Sequence, residues 1–215
     1  MVLIAPSILS ADFANLEQEI KKIENFVELL HIDVMDGHYV PNLTIGYPVI
    51  KTLREKTNLF FTTHLMISNP EDFILEYISA GSNRLVLHSE TCKHLHRTLN
   101  KIKENNIKAG LALNPSQGIE SLNLEYTGEL IDCITIMTVN PGFPAQSFIN
   151  SGLKKIKSLK LLLEKLNLKH IKIEVDGGIN AETAKLCKEA GADILVAGNF
   201  IYKSKDISKA IEELK

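Results

Sequence analysis

Residues 29–36 read Leu29-Leu-His-Ile-Asp-Val-Met-Asp36. The run is short and rich in branched aliphatics, which is strand character rather than helix character. Side chains alternate along a strand, so His31, Asp33 and Met35 share one face while Ile32 and Val34 occupy the other. The aliphatic face suits a layer of helices. A histidine and an aspartate turned toward that layer would be a costly polar intrusion, so they are expected to point into the interior of a closed sheet.

Similar apolar runs recur along the chain, giving strands over 3–7, 29–36, 59–65, 84–88, 108–113, 133–139, 171–176 and 193–198. Amphipathic stretches lie between them, giving helices over 15–26, 48–55, 70–80, 91–105, 119–125, 152–166, 181–190 and 206–214. Eight evenly spaced units with no long insertion predict an α/β fold, a TIM (β/α)8 barrel forming a single domain over 1–215, in preference to an open doubly wound sheet. Helix punctuation agrees: Asn69 precedes Pro70 as an N-cap precedes a first-turn proline, and Gly81 and Gly191 follow helices as left-handed caps do.

The 215 residues are of one-domain barrel size, and a 45% hydrophobic content is enough to fill one large core. Charged residues nearly cancel, to −2, so no basic field exists to recruit nucleic acid and no acidic tail suggests a disordered partner segment. The first residues lack a basic segment and meet Asp12 before a secretory core is complete, and no apolar stretch reaches transmembrane length. Cys92, Cys133 and Cys187 are odd in number and widely spaced, fitting reduced thiols that serve as small buried hydrophobes. A cytoplasmic protein without nucleic-acid or membrane partners is expected, and homo-oligomerisation is left open.

Ser7, Asp33, Asp36, His64, His88, Asn114, Asn140 and Asp176 all sit at or just past the carboxyl ends of predicted strands, the active face of such a barrel. Strand starts carry residues expected at the surface, among them Arg84, Lys108 and Lys172. By strand phase, His31, Asp33, His64 and Asp176 can converge at the mouth. Two imidazoles and two carboxylates suit a divalent ion such as Zn²⁺, Mn²⁺, Fe²⁺ or Co²⁺; a hydrogen-bonded polar cluster without metal fits the same pattern.

Asp33 and Asp176 come from strands that are not neighbours, so a substrate between them would meet one carboxylate on each side. That suits removal of a proton from one face and its return to the other. A carboxylate with a reference pKa of about 3.9 is a weak base for a carbon acid, and a Lewis acid holding the adjacent oxygens would make the transfer feasible. Asp176-Gly177-Gly178 and Gly198-Asn199 follow the last two strands, where many barrels bind phosphate through backbone N–H groups. A small phosphorylated sugar is the expected partner.

Five segments, taken in order, carry a specific resemblance: Ala5-Pro-Ser-Ile-Leu-Ser-Ala-Asp-Phe13, His31-Ile-Asp-Val-Met-Asp-Gly-His-Tyr-Val-Pro-Asn42, His64-Leu-Met66, Met137-Thr-Val-Asn-Pro-Gly-Phe143 and Val175-Asp-Gly-Gly-Ile179. Essentially end to end, the chain resembles the ribulose-phosphate 3-epimerases. The resemblance implies that His31, Asp33, His64 and Asp176 bind a divalent metal, commonly zinc. It further implies that Asp33 and Asp176 invert carbon 3 of ribulose 5-phosphate, giving xylulose 5-phosphate in the pentose phosphate pathway. Ser7 and His64 would lie at the substrate, with Gly142, Phe143, Pro144, Ala145, Gly177, Gly178, Gly198 and Asn199 completing its pocket. Met35, Met66 and Met137 would pack around the enediolate, or serve simply as barrel filler.

Two departures stand out. The family usually follows Pro-Gly-Phe with two glycines, whereas Pro144 and Ala145 follow Phe143 here; a backbone donor is lost and a stiffer loop is expected. Thr62-Thr63 precedes His64 where the family commonly has an aspartate in phase with the histidine, which bears on metal affinity. The sister reading is an allulose-6-phosphate 3-epimerase, favoured only by the altered loop. A lyase acting through an enediolate would be expected to show a lysine near the mouth, and the strand ends show none; a non-catalytic sugar-phosphate binder would not need both aspartates and both histidines. His38, His94, His96 and His170 read as solvent-facing, His88 as lining the mouth or as structural, Asp36 as shaping the turn at Gly37, and the lysines of 154–165 as a solvated helix face.

Overall fold

The computed structural model describes residues 2–215. Parallel strands β1 (Leu3–Pro6), β2 (Leu29–Met35), β3 (Phe60–Met66), β4 (Arg84–His88), β5 (Lys108–Leu113), β6 (Cys133–Met137), β7 (Lys172–Asp176) and β8 (Ile194–Ala197) are hydrogen-bonded in the order β1-β8-β7-β6-β5-β4-β3-β2. A parallel bridge between Ser7 and His31 joins the two ends and closes the barrel. Helices α1 (Leu16–Lys21), α2 (Tyr47–Arg54), α3 (Ile74–Ser79), α4 (Leu95–Glu104), α5 (Leu124–Thr127), α6 (Ser151–Lys165), α7 (Ala181–Ala190), α8 (Asn199–Tyr202) and α9 (Ile207–Leu214) complete the units. No helix among the described residues is long and apolar enough to cross a membrane.

Several expected helices are shorter and broken. The stretch over 15–26 holds only α1, entered through a 3-10 turn at Phe13–Asn15. The stretch over 119–125 divides at Asn123, whose φ of 44° interrupts the right-handed path. Asn69 precedes Pro70 as expected, but its side chain donates to Asp72 Oδ2 at 2.8 Å instead of capping the backbone. The punctuation of α7 is complete: Asn180 and Thr183 form a reciprocal capping box, and Gly191, at φ 108°, accepts the left-handed cap. The one-turn α8, directly after β8, is too short to show in the apolar pattern.

The strand phase holds. Leu30, Ile32 and Val34 are buried in one cluster with helix residues such as Ile20, Ile50 and Leu99. Each fully buried aliphatic contributes roughly 1.5–3 kcal/mol, and this outer layer supplies most of the stabilisation. Inside the barrel a smaller cluster gathers Ala5, Leu29, Cys133, Ile194 and Val196.

One expectation is corrected within that interior. Arg84 is not a surface residue; it is 4% exposed, because it shares the inward face of β4 with Val86 and His88. Its guanidinium lies 3.7 Å from Glu174 Oε2, 3.4 Å from Thr62 Oγ1 and 5.2 Å from the centre of the Phe60 ring. Lys108 and Lys172, the other strand-start cations, are exposed as expected.

Candidate active site

Parallel pairing of β2 with β3 sets Asp33 beside His64, and His31 lies two residues earlier on the same face as Asp33. Asp176 ends β7. His31 Nε2 is 3.3 Å from Asp33 Oδ1 and 3.7 Å from Asp176 Oδ2; His64 Nδ1 is 3.4 Å and 3.7 Å from the same two oxygens. One donor atom from each of the four residues lies within 4.8 Å of every other. The histidines are fully buried, while Asp176 retains some exposure toward the mouth.

The electrostatics of the two carboxyls diverge. Burial raises the Asp33 carboxyl, but the close approach of His31 and His64, 3.3 and 3.4 Å away, holds it far below the usual carboxylate range. Burial, the charge of Asp33 and the charge of Glu174 push Asp176 up to about 7 against the opposing influence of His31. His31 itself is raised to about 10: burial opposes its charge, but Asp33, Asp176 and Glu174 together outweigh that. Without a cation, the His31 imidazolium therefore supplies the positive charge between the carboxylates.

The donor set fits a divalent ion. His31 Nε2 and His64 Nδ1 are buried, face the carboxylates and have no hydrogen-bond partner. Two imidazole nitrogens and two carboxylate oxygens converging on one point form a ligand set for a borderline divalent metal. Around it, Ser7 donates to Asp33 Oδ2 at 2.6 Å, which fixes that carboxylate from the side away from the histidines. Behind His31, Nδ1 is 3.8 Å from Glu174 Oε1, an oxygen held by the Thr135 hydroxyl at 2.8 Å. Behind His64, Nε2 meets His88 Nε2 at 2.9 Å. Burial, aided by the charge of His64 and opposed by Glu90, pushes His88 down to about 4, so its ring is neutral.

Above the cluster opens a cleft lined by Ser7, Asp33, Asp176 and the three methionines Met35, Met66 and Met137. Its outer walls carry Gly142, Phe143, Pro144 and Ala145 after β6, Gly177 and Gly178 after β7, and Gly198 and Asn199 at the start of α8. His31 and His64 form its floor and are not among the lining residues. Gly177 and Gly178 have φ of 118° and 66°, and a Cβ at Gly178 would stand 2.8 Å from the Phe148 backbone.

The loop after β6 is braced in an unforeseen way. Ala145 adopts φ 59°, the conformation a glycine would take freely, while Gln146 Nε2 donates to the carbonyls of Asn140 and Phe143. Asn42 Nδ2 donates to Gly142 O at 2.8 Å and ties this loop to the one after β2. Asp36 organises its turn as expected, accepting from the backbone of His38, Tyr39 and Ser68. Among the remaining histidines, His38, His94 and His170 are exposed, whereas His96 is half-buried against Tyr126. Sequence reading misses the pairing of His88 with His64 and the inward course of Arg84; the phase Arg84-Val86-His88 carries the signal for the latter.

A closed barrel with two carboxylates and two histidines converging at its carboxyl mouth is the architecture of a small-molecule enzyme. Comparison with known proteins narrows the class. Residues 3–202 match the model of the ribulose-phosphate 3 epimerase family. A ribulose-phosphate 3-epimerase of Bacillus subtilis is 48% identical over 216 residues, covering 100% of this chain and 99% of the relative. A chloroplastic ribulose-5-phosphate-3-epimerase of Arabidopsis thaliana is 42% identical, covering 100% of this chain and 76% of the relative. The chain belongs to the ribulose-phosphate 3-epimerase family, and so to the isomerases. Solved structures of a 3-hexulose-6-phosphate synthase from Salmonella typhimurium (TM-score 0.72, 17% identity, 99% of this chain and 96% of that one) and of a 3-keto-L-gulonate-6-phosphate decarboxylase from Vibrio cholerae (TM-score 0.74, 13% identity, 99% and 95%) share the barrel.

Proposed function

We propose that the protein is a divalent-metal-dependent epimerase that interconverts D-ribulose 5-phosphate and D-xylulose 5-phosphate at C3, with Asp33 and Asp176 as its acid/base pair. The observation that carries this reading is the convergence of those two carboxylates, from non-adjacent strands, on the same two histidine nitrogens at the floor of the cleft. His31, Asp33, His64 and Asp176 would hold the ion, with zinc first and Fe²⁺, Mn²⁺ or Co²⁺ as alternatives that the same donors accept. Bound there, a divalent ion supplies Lewis-acid stabilisation of negative charge developing on the substrate oxygens beside C3.

One aspartate accepts the C3 proton from one face, leaving an enediolate; the other delivers a proton to the opposite face, and the reverse reaction exchanges their roles. Ser7 orients Asp33 through its hydroxyl. Met35, Met66 and Met137 cover the reacting carbon with apolar, water-excluding surface. Backbone groups at Gly177, Gly178, Gly198 and Asn199 would hold the phosphate, with Gly142, Phe143, Pro144 and Ala145 forming the opposite wall. This substrate pair belongs to pentose phosphate metabolism. No lysine lines the cleft among the described residues, which removes the feature a lyase would use.

The test follows C3 proton exchange and epimer formation in D₂O by NMR, with ribulose 5-phosphate and allulose 6-phosphate in parallel. Metal-loaded wild type should epimerise the pentulose phosphate faster in kcat/KM, and Asp33→Asn and Asp176→Asn should each lose about 10²–10⁴-fold in rate. Wild-type rates from either variant would refute the two-aspartate mechanism, and a strong preference for the hexulose phosphate would move the assignment to the sister epimerase.

A further inference from the structure

The two ring nitrogens of His64 face different surroundings. Nδ1 points at the carboxylates, 3.4 Å from Asp33 Oδ1 and 3.7 Å from Asp176 Oδ2. Nε2 points away from them and lies 2.9 Å from His88 Nε2. Both rings are fully buried and stacked, with centroids 5.0 Å apart and 22° between planes. Nitrogens at that separation share one proton: two N–H groups would collide, and two bare lone pairs would repel.

What stands behind His88 decides which ring carries the proton. Its Nδ1 is 3.6 Å from Glu90 Oε1. That oxygen already accepts from the Tyr39 hydroxyl at 2.8 Å and from Asn114 Nδ2 at 2.7 Å, and Asn114 also reaches the Tyr39 hydroxyl at 2.8 Å. At 3.6 Å that carboxylate makes no hydrogen bond to His88 Nδ1, but its negative charge favours N–H over a lone pair there. His88 Nε2 is then bare and accepts from His64 Nε2–H, which leaves the lone pair of His64 Nδ1 facing Asp33 and Asp176.

We infer that His88 is a positioning residue that selects the Nε2–H tautomer of His64 and thereby directs the Nδ1 lone pair into the four-residue cluster. The inference rests on the reading of that cluster as a divalent-ion site. His88 is not among the residues lining the cleft and acts through His64, while Glu90, fixed by Tyr39 and Asn114, places its charge 3.6 Å from His88 Nδ1. The other His64 tautomer would aim an N–H at the ion position and could not ligate.

The test compares metal-stripped wild type, His88→Gln and His88→Leu, each titrated with Zn²⁺ against a chromophoric chelator, with circular dichroism confirming the fold. Glutamine offers an oxygen that can accept from His64 Nε2; leucine offers nothing. His88→Leu should bind Zn²⁺ about 10–100-fold more weakly and His88→Gln close to wild type. Independently, ¹⁵N–¹H imidazole spectra of zinc-loaded wild type should show His64 protonated at Nε2 and metal-bound at Nδ1; this decides the matter should His88→Leu fail to fold. Equal zinc affinity in folded His88→Leu overturns the inference and leaves the ion site standing; His64 protonated at Nδ1 in the zinc-loaded protein overturns the inference and removes His64 from the ligand set. Wild type that takes up no divalent ion overturns both.

Discussion

Asp33 and Asp176 bring oxygens within 4.8 Å of each other from strands that do not pair, yet the barrel shifts the acidity of the two carboxyls in opposite directions. Asp33 is served by His31 and His64 as well as by the Ser7 hydroxyl. Asp176 is raised to about 7 by its burial and by the charges of Asp33 and Glu174.

That asymmetry has a cost in the metal-free protein. Folded Asp176 keeps its proton up to about pH 7, whereas the unfolded chain releases it near the ordinary value of 3.8. Between those values the folded state binds more protons, so this group's contribution turns destabilising as pH rises through the window. Asp176→Asn, uncharged throughout, should be more stable than metal-stripped wild type at pH 8, on the order of 1–3 kcal/mol, and should lose that advantage by pH 4. Thermal melts across that range check it, and the absence of any gain at pH 8 would contradict the raised pKa. Saturating zinc should reverse the order of the two proteins.

Ion uptake should be coupled to proton release. His31, raised to about 10, and Asp176, raised to about 7, must both give up protons before their lone pairs can ligate. Zinc binding at pH 6 should release about two protons and at pH 8.5 about one, so affinity rises with pH across this range. Calorimetry in buffers of different ionisation heat reads the number directly. A pH-independent affinity would mean that neither His31 nor Asp176 carries a proton for the ion to displace.

Much of this site is legible in the sequence. His31 and Asp33 share a face because strands have period two, while His64 lies near the carboxyl end of its strand and Asp176 at the end of its own. Arg84 escapes that reading because its charge argues for the surface while its phase with His88 argues for the interior, and the phase prevails. The contact between His88 and His64 is less legible, since register pairs His64 with Val86 and His88 is its diagonal neighbour on the adjacent strand, reached only through the course of the two side chains. The tie between Asn42 and Gly142 spans 100 residues of chain and leaves no local signal.

The buried Arg84–Glu174 pair offers a stability test. Arg84→Met should destabilise the protein by about 3–5 kcal/mol, because the Glu174 carboxylate is left in the interior without its nearest cation. The double variant Arg84→Met/Glu174→Gln removes both charges and should recover a large part of that loss. Urea denaturation of the two singles and the double closes the cycle. Simple additivity would show that the two side chains do not sense one another across their 3.7 Å separation.

Gly178 separates the phosphate reading from a purely architectural one. With φ at 66° and the Phe148 backbone 2.8 Å from where a Cβ would stand, Gly178→Ala must move the turn after β7. If backbone N–H groups of this turn hold the phosphate, the shift removes a hydrogen bond to a charged group, worth about 1.5–3 kcal/mol. KM for the sugar phosphate should then rise roughly 10–100-fold with kcat little changed, because the phosphate is bound alike in ground and transition states. Competitive inhibition by inorganic phosphate should weaken in parallel. A variant that melts earlier but keeps its KM and its phosphate inhibition would place the phosphate elsewhere on the rim, with the loop of Pro144 and Ala145 the next segment to probe.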